Sequence, residues 1–284
     1  MVFKSRFDID KTFLTCFHHH QHHGHSHGIG IKQPLNGDLI FPERVMPYRT
    51  FNLAEVCNYL HLAQPDVELL IHRQEIPFEK KGKRVVFRKQ DLDAWASQRI
   101  LGLSGKRLTA YHKVTSAKAH DLSQQHAIIT ELVRQEYIQS ALPSRTKPSL
   151  LRDMVALADK TGLVVSPSEL LQSLKEREHM CSTALPNGIA LLHPRHHDPY
   201  MFEDSFIVLG RAIHPLPFNA PDGNTTDLFF LVCCQDDKIH LHVLARICMM
   251  CINTRLLQAI RAVSDTASIY DCLVQSEAEI TNRI

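Results

Sequence analysis

The spacing of apolar residues along this chain changes from segment to segment, and each change marks a different kind of structure. Residues 1–45 carry no sustained apolar period, and their centre is the tract Cys16-Phe17-His18-His19-His20-Gln21-His22-His23-Gly24-His25-Ser26-His27-Gly28. That composition predicts a disordered, His-rich tail. Residues 46–103 read as one small unit. Leu53 to Leu60 has helical spacing, with Asn52 as N-cap and Glu55 as its capping-box partner. A break at residues 61–64 leads to a second helix, from Pro65 to about Arg73. Ile76-Pro77-Phe78 and Arg84 to Arg88 read as strands around a hairpin tip at residues 79–83, and a closing helix opens near Gln90 and buries Trp95. Residues 104–126 are polar with little period, which predicts a linker. A second domain is expected over 127–280, with helices near 128–136, 147–161 and 167–178 and strands at 188–193, 205–213 and 227–234. Helices return near 238–251, 253–262 and 266–275. This order predicts an α/β (α+β) domain, a mixed sheet flanked by helices, preceded by a small helical unit with a hairpin. No internal repeat is visible.

Composition narrows the classes. The chain has 284 residues, 44% of them hydrophobic, and a net charge of +2. That is enough apolar material for two cores, and any nucleic-acid contact must come from a local patch. The eight cysteines sit mostly in apolar runs, which suits reduced thiols and a cytoplasmic location. No apolar stretch approaches the ~18 residues of a membrane span, so no membrane partner is expected. The N-terminus lacks the apolar core of a signal peptide. The histidine tract reads as a passive extension, or as sequence upstream of a start at Met46, in preference to a Zn²⁺ or Ni²⁺ tail.

Two short helices, a tight turn and a basic hairpin are the parts of a winged DNA-binding unit. The second helix would enter the major groove, presenting Gln64, His72 and Arg73. The wing residues Lys80, Lys81, Lys83 and Arg84 would rest on phosphates. The run Phe51-Asn52-Leu53-Ala54-Glu55-Val56, then Glu75-Ile76-Pro77-Phe78, then Arg88-Lys89-Gln90-Asp91-Leu92-Asp93-Ala94-Trp95 resembles the excisionase/MerR-like helix-turn-helix family. Asp66 and Glu68 depart from a basic reading helix, and residues 49–107 hold 11 Lys/Arg against 7 Asp/Glu. A balance of roughly +4 is modest for a DNA binder, so occupancy should require two copies, a homodimer.

The chemistry of the second domain centres on Asn187-Gly188-Ile189-Ala190-Leu191-Leu192-His193, an apolar strand that starts at a turn and ends in an imidazole. A neutral imidazole is a good nucleophile near neutral pH. Arg177 can clamp phosphoryl oxygens, and His240, near the start of a predicted helix, can donate a hydrogen bond beside that helix's positive end. Together with Lys147, Glu178, Ser182-Thr183, Asp222-Gly223, Leu228-Phe229-Phe230-Leu231-Val232 and His240-Leu241, the pattern resembles the enzyme IIA domain of the phosphoenolpyruvate:sugar phosphotransferase system. The branch it resembles is the fructose/mannitol and nitrogen-regulatory one. The resemblance implies that His193 accepts a phosphoryl group from an HPr-type carrier, framed by Arg177 and His240, with no metal and no cofactor. Leu192 stands where many members have proline.

The site is expected at an exposed rim, with Arg195 as a further phosphate contact and His242 as ordinary surface. His196-His197-Asp198 is not expected to hold a metal, and Cys233-Cys234, Cys248 and Cys251 are expected to pack in the core. The whole reads as a DNA-binding regulator governed by phosphorylation. Its rivals are a phosphocarrier for sugar uptake and a nitrogen-regulatory protein that acts by binding other proteins.

Overall fold

The computed structural model describes residues 50–60, 62–82, 84–103, 105–118, 128–195, 200–235 and 237–282. The expected tail, Lys83, the end of the expected linker at 119–127 and His196-His197-Asp198 lie outside the described residues.

Helices α1 (Leu53–Leu60) and α2 (Gln64–His72) form the helix-turn-helix. The capping box closes as read: Glu55 N donates to Asn52 Oδ1 at 3.0 Å and Asn52 N to Glu55 Oε2 at 2.7 Å. Strands β1 (Thr50–Phe51), β2 (Glu79–Lys81) and β3 (Arg84–Arg88) make an antiparallel sheet in the order β1-β3-β2. Ile76-Pro77-Phe78 is not a strand. Ile76 is a buried core plug, and Pro77 has no N–H to give a ladder. The wing is therefore shorter than expected, with Lys81 paired to Arg84 around Gly82 at φ 63°. Helix α3 (Lys89–Leu101) closes the unit. Its Trp95 is buried, and the indole N–H donates to the Glu75 carbonyl at 2.5 Å. On the same helix, Asp93 accepts from the Tyr59 hydroxyl at 2.7 Å and from Lys89 Nζ at 2.8 Å.

The expected linker is instead largely a helix, α4 (Gly105–Lys118). Its sequence is weakly amphipathic, so propensity alone would not hold it. Leu108 and His112, spaced on one face, are buried against α8 (Asp237–Asn253), and tertiary packing supplies the stability.

The second domain is built on a five-stranded mixed sheet in the order β4-β7-β8-β6-β5. Its strands are β4 (Ile138–Leu142), β5 (Ala184–Leu185), β6 (Ile189–Leu192), β7 (Phe206–Pro217) and β8 (Thr225–Cys233). β6 lies parallel to β8, with Leu191 opposite Phe230, and every residue of β6 is buried. It is covered on both faces, hence its unbroken apolar run. Leu191, Ile207 and Phe230 face α8, α9 (Leu256–Ala262) and α10 (Thr266–Thr281). Leu192, Val208 and Phe229 face α6 (Lys147–Asp159) and α7 (Pro167–Met180). The predicted helix at 128–136 stops early, as α5 (Ile128–Leu132) and a 3-10 turn at Gln135–Tyr137. β4 and β5 were not anticipated. Cys233, Cys234, Cys248 and Cys251 are core residues, and burial pushes the Cys248 thiol up to about 12. Among the described residues, no single helix is long and apolar enough to cross a membrane.

A buried polar cluster ties α4 to the second domain. Arg246 Nε donates to His112 Nε2 at 2.6 Å, and Arg246 Nη1 lies 3.3 Å from Glu277 Oε1. Glu277 also accepts from the backbone N–H groups of Ile129 and Thr130, each at 2.8 Å. His242 corrects the surface expectation: it is 3% exposed and stacks on His112 with ring centroids 5.4 Å apart. Packing of α4 has turned an outward helix face into an inner one.

Burial, and then the Arg246 charge, hold the His112 pKa down from 6.5 to about 4. The unfolded ring gains its proton first as pH falls. His112 therefore contributes its full stability above about pH 6.5 and loses it as pH falls toward 4. Burial raises the Glu277 pKa, which acts in the opposite direction, but Glu277 is common to parent and variant. We predict that the unfolding free energy of the parent relative to His112→Gln falls by about 3 kcal/mol between neutral pH and pH 4 in urea titrations. A pH-independent difference would mean that the ring is not held neutral.

Candidate functional site

The turn ahead of β6 is locked in place. Asn187 and Gly188 have φ of 71° and 78°, the left-handed region that Asn-Gly hairpins use. Asp222 Oδ2 accepts from Asn187 N at 3.0 Å, and Arg261 Nη2 donates to Asn187 O at 2.6 Å. At this φ a Cβ is strained, and one on Gly188 would also press on Arg261 Nη2 at 2.7 Å and Asp227 Oδ1 at 2.8 Å, so glycine is favoured. β6 then runs through the sheet and delivers His193 at its end.

The partners of His193 define its tautomer. Nδ1 lies 2.8 Å from the Leu191 carbonyl, which can only accept, so Nδ1 carries the proton. Nε2 then bears the lone pair, and Arg177 Nε donates to it at 3.0 Å. Arg177 lies in the last turn of α7, where its Nη1 donates to the Cys181 carbonyl at 2.8 Å. Its Nη2 is buried with no hydrogen-bond partner among the described residues. His240, in the first turn of α8, tilts over His193 with ring centroids 5.0 Å apart. The three side chains named from the sequence therefore converge.

Their surroundings differ from the expectation. Arg177 is 2% exposed and His193 and His240 are each 1% exposed, so the site is sealed and not at an open rim. Part of the cover comes from α3. Ser97 Oγ lies 3.3 Å from His240 Nε2, and Gln98 Nε2 donates to Cys181 Sγ at 2.9 Å. Neither residue was singled out from the sequence, since a small polar pair on a closing helix carries no periodic or motif signal. Burial pushes the Arg177 pKa below its ordinary value, and the neighbouring Glu178 carboxylate pulls it back up.

Glu178 anchors the end of α7. Its Oε2 lies 2.6 Å from Lys147 Nζ, and its Oε1 accepts from Thr183 N at 3.0 Å and from the Thr183 hydroxyl. Lys147 Nζ also sits 4.3 Å from the centroid of the Phe218 ring. Ser182 donates to the Phe218 carbonyl at 2.5 Å. Lys147, Glu178, Ser182 and Thr183 are thus the frame that holds Arg177. The guanidinium of Arg195 lies 3.6 Å from Glu176 Oε2, and both side chains are partly exposed.

On the helix-turn-helix unit, Gln64 is exposed but its amide donates to Glu68 Oε1 at 2.7 Å. His72 and Arg73 are exposed at the end of α2, with Arg73 4.0 Å from Glu75. Lys80, Lys81 and Arg84 are exposed on the wing. Among the described residues, no three His, Cys, Asp or Glu side chains are grouped as a metal ion would require.

The site thus brings together a strand-end imidazole, a buried arginine that donates to it and a second histidine ring. A family model described as "Phosphoenolpyruvate-dependent sugar phosphotransferase system, EIIA 2" matches residues 131–276, and one described as "Helix-turn-helix domain" matches residues 50–100. The nitrogen regulatory protein of Bradyrhizobium diazoefficiens is 30% identical over 148 residues, 51% of this chain and 94% of that protein. The nitrogen regulatory protein of Escherichia coli is 26% identical over 154 residues, 52% of this chain and 91% of that protein. The crystal structure of nitrogen regulatory protein IIA-Ntr from Neisseria meningitidis superposes with a TM-score of 0.47 at 23% identity, covering 51% of this chain and 99% of that one. The chain belongs to the EIIA 2 family of the phosphotransferase system, with a helix-turn-helix domain ahead of the EIIA domain.

Removing Glu178 leaves a lysine and a buried N–H without their acceptor. Lys147 is 25% exposed, so water offsets part of the loss. Glu178→Ala is expected to cost about 2–3 kcal/mol in urea unfolding with an unchanged m-value. A loss below about 0.5 kcal/mol would show that the frame is held by other contacts.

Proposed function

We propose that this protein is a cytoplasmic DNA-binding regulator whose EIIA domain accepts a phosphoryl group on His193 from an HPr-type carrier. The observation that supports this best is the pairing of a His193 Nε2 lone pair with a buried guanidinium that has one unused N–H arm. In the transfer, Nε2 attacks the phosphorus of the carrier's phosphohistidine. The new N–P bond forms as the carrier's P–N bond breaks, and the carrier's ring nitrogen keeps the electron pair. The proton stays on His193 Nδ1, hydrogen-bonded to the Leu191 carbonyl, throughout. Arg177 must swing from the ring nitrogen onto the phosphoryl oxygens, where its Nε and Nη2 can bind in bidentate fashion. His240 supplies a further polar contact on the opposite side. Phosphoryl transfer requires mainly this positioning and charge stabilisation.

Incubation with phosphoenolpyruvate, enzyme I and an HPr-type carrier, followed by phosphosite mapping, tests the assignment. His193→Ala should lose the label, and Arg177→Ala should slow labelling by about a hundredfold. Label that survives in His193→Ala would refute it.

On the DNA side, α2 and the wing are the reading surfaces, and two copies are needed for useful occupancy. Lys81→Ala and Arg84→Ala should each weaken binding across all sequences and reduce the log–log salt slope by about 1. Phosphorylation of His193 should change DNA affinity by about tenfold in mobility-shift assays, and His193→Ala should show no response. No duplex binding at low salt would favour a carrier or a protein-binding regulator. The names of the relatives favour nitrogen control over sugar uptake as the source of the signal.

A further inference from the structure

The helix-turn-helix unit sits on the phosphoacceptor pocket. Two consecutive residues of α3 touch two different walls of it. Ser97 Oγ is 3.3 Å from His240 Nε2, and Gln98 Nε2 is 2.9 Å from Cys181 Sγ. Cys181 is also the residue whose carbonyl anchors Arg177 Nη1. All three phosphoacceptor side chains are at most 2% exposed in this arrangement. Helix α3 therefore packs on the two residues that flank His193 and Arg177.

We propose that α3 is a lid on the His193 pocket, so that the phosphoryl donor and the helix-turn-helix unit compete for the same face of His240. The proposal rests on the phosphoacceptor reading given above and adds an intramolecular competitor to it. The lid cannot lift alone. Its other face is the core of the helix-turn-helix unit, where Leu92 and Trp95 are buried and the Trp95 indole holds the Glu75 carbonyl. Opening the pocket therefore moves the whole unit. Once phosphorylated, His193 carries about two negative charges, of which Arg177 can offset only one, and a serine and a glutamine supply no further charge to balance the rest. The phosphorylated state favours the open lid, and the closed lid slows phosphorylation.

The geometry offers a lock. Gln98 and Cys181 are in contact and both half-buried, so Gln98→Cys in the full-length chain can be bridged to Cys181 by a short reducible bis-thiosulfonate reagent, with the bridge confirmed by peptide mapping. Labelling of His193 through the carrier system should fall at least about tenfold in the bridged protein and return on reduction, while the parent protein treated identically keeps its label. A second readout does not depend on phosphotransfer. Carbethoxylation of His240 by diethyl pyrocarbonate, mapped by mass spectrometry against the exposed His72 as internal reference, should slow on bridging and recover on reduction. Bridged protein that is labelled at the parental rate, or that carbethoxylates His240 as fast as His72, overturns the lid. If neither parent nor reduced protein takes label, the phosphoacceptor reading fails, and the carbethoxylation comparison still decides whether α3 covers the pocket.

Discussion

The hydrogen bond from His193 Nδ1 to the Leu191 carbonyl is the constraint on which the site depends. It fixes which ring nitrogen holds the proton, and so which one carries the lone pair that Arg177 meets. That bond exists because β6 ends one residue before His193, which lets the ring fold back along its own strand. The end of β6 is set in turn by the register with β8, where Leu192 pairs with Leu231, and by the rigid Asn187-Gly188 turn at the other end. Leu192 itself is buried and in register with Leu231, inside the strand.

Charge in the pocket is held by contacts made elsewhere. Arg177 is buried beside a neutral ring, an arrangement that desolvation alone would disfavour. Glu178 offsets that penalty while facing away, toward Lys147 and Thr183. The buried guanidinium thus has a nearby carboxylate that offsets part of its desolvation without bonding to its unused arm. Arg246 is likewise buried between a neutral imidazole, that of His112, and a carboxylate, that of Glu277.

The convergence of three side chains was legible because each sits at a recognisable boundary: a strand end for His193, a helix end for Arg177 and a helix start for His240. Those boundaries follow from local patterns such as the Asn-Gly turn and Pro167 in the first turn of α7. The β6, β7 and β8 strands were visible as apolar runs, whereas two-residue β5 is too short to leave a pattern. β4, with Gln139 and Ser140 inside it, reads as polar because it is an edge strand. The sealed state of the site and the burial of His242 were not legible. Both depend on α3 and α4 packing against α8, contacts between residues more than a hundred positions apart such as Ser97 with His240 and His112 with Arg246. Helix α4 was missed for the same reason, since its polar sequence folds as a helix only because a partner surface exists.

That helix changes how the two domains communicate. A flexible tether would let the DNA-reading unit wander and would dilute it relative to its docking face. Here only residues 102–104 separate α3 from α4, and α4 is itself seated on α8. The released unit would be on a leash a few residues long, anchored beside its own dock. Its effective concentration there stays high, in the millimolar range typical of short connections. Under the proposed lid, re-docking would be an event within one chain, so its set point would follow the chain's own geometry more than how much of the protein the cell contains.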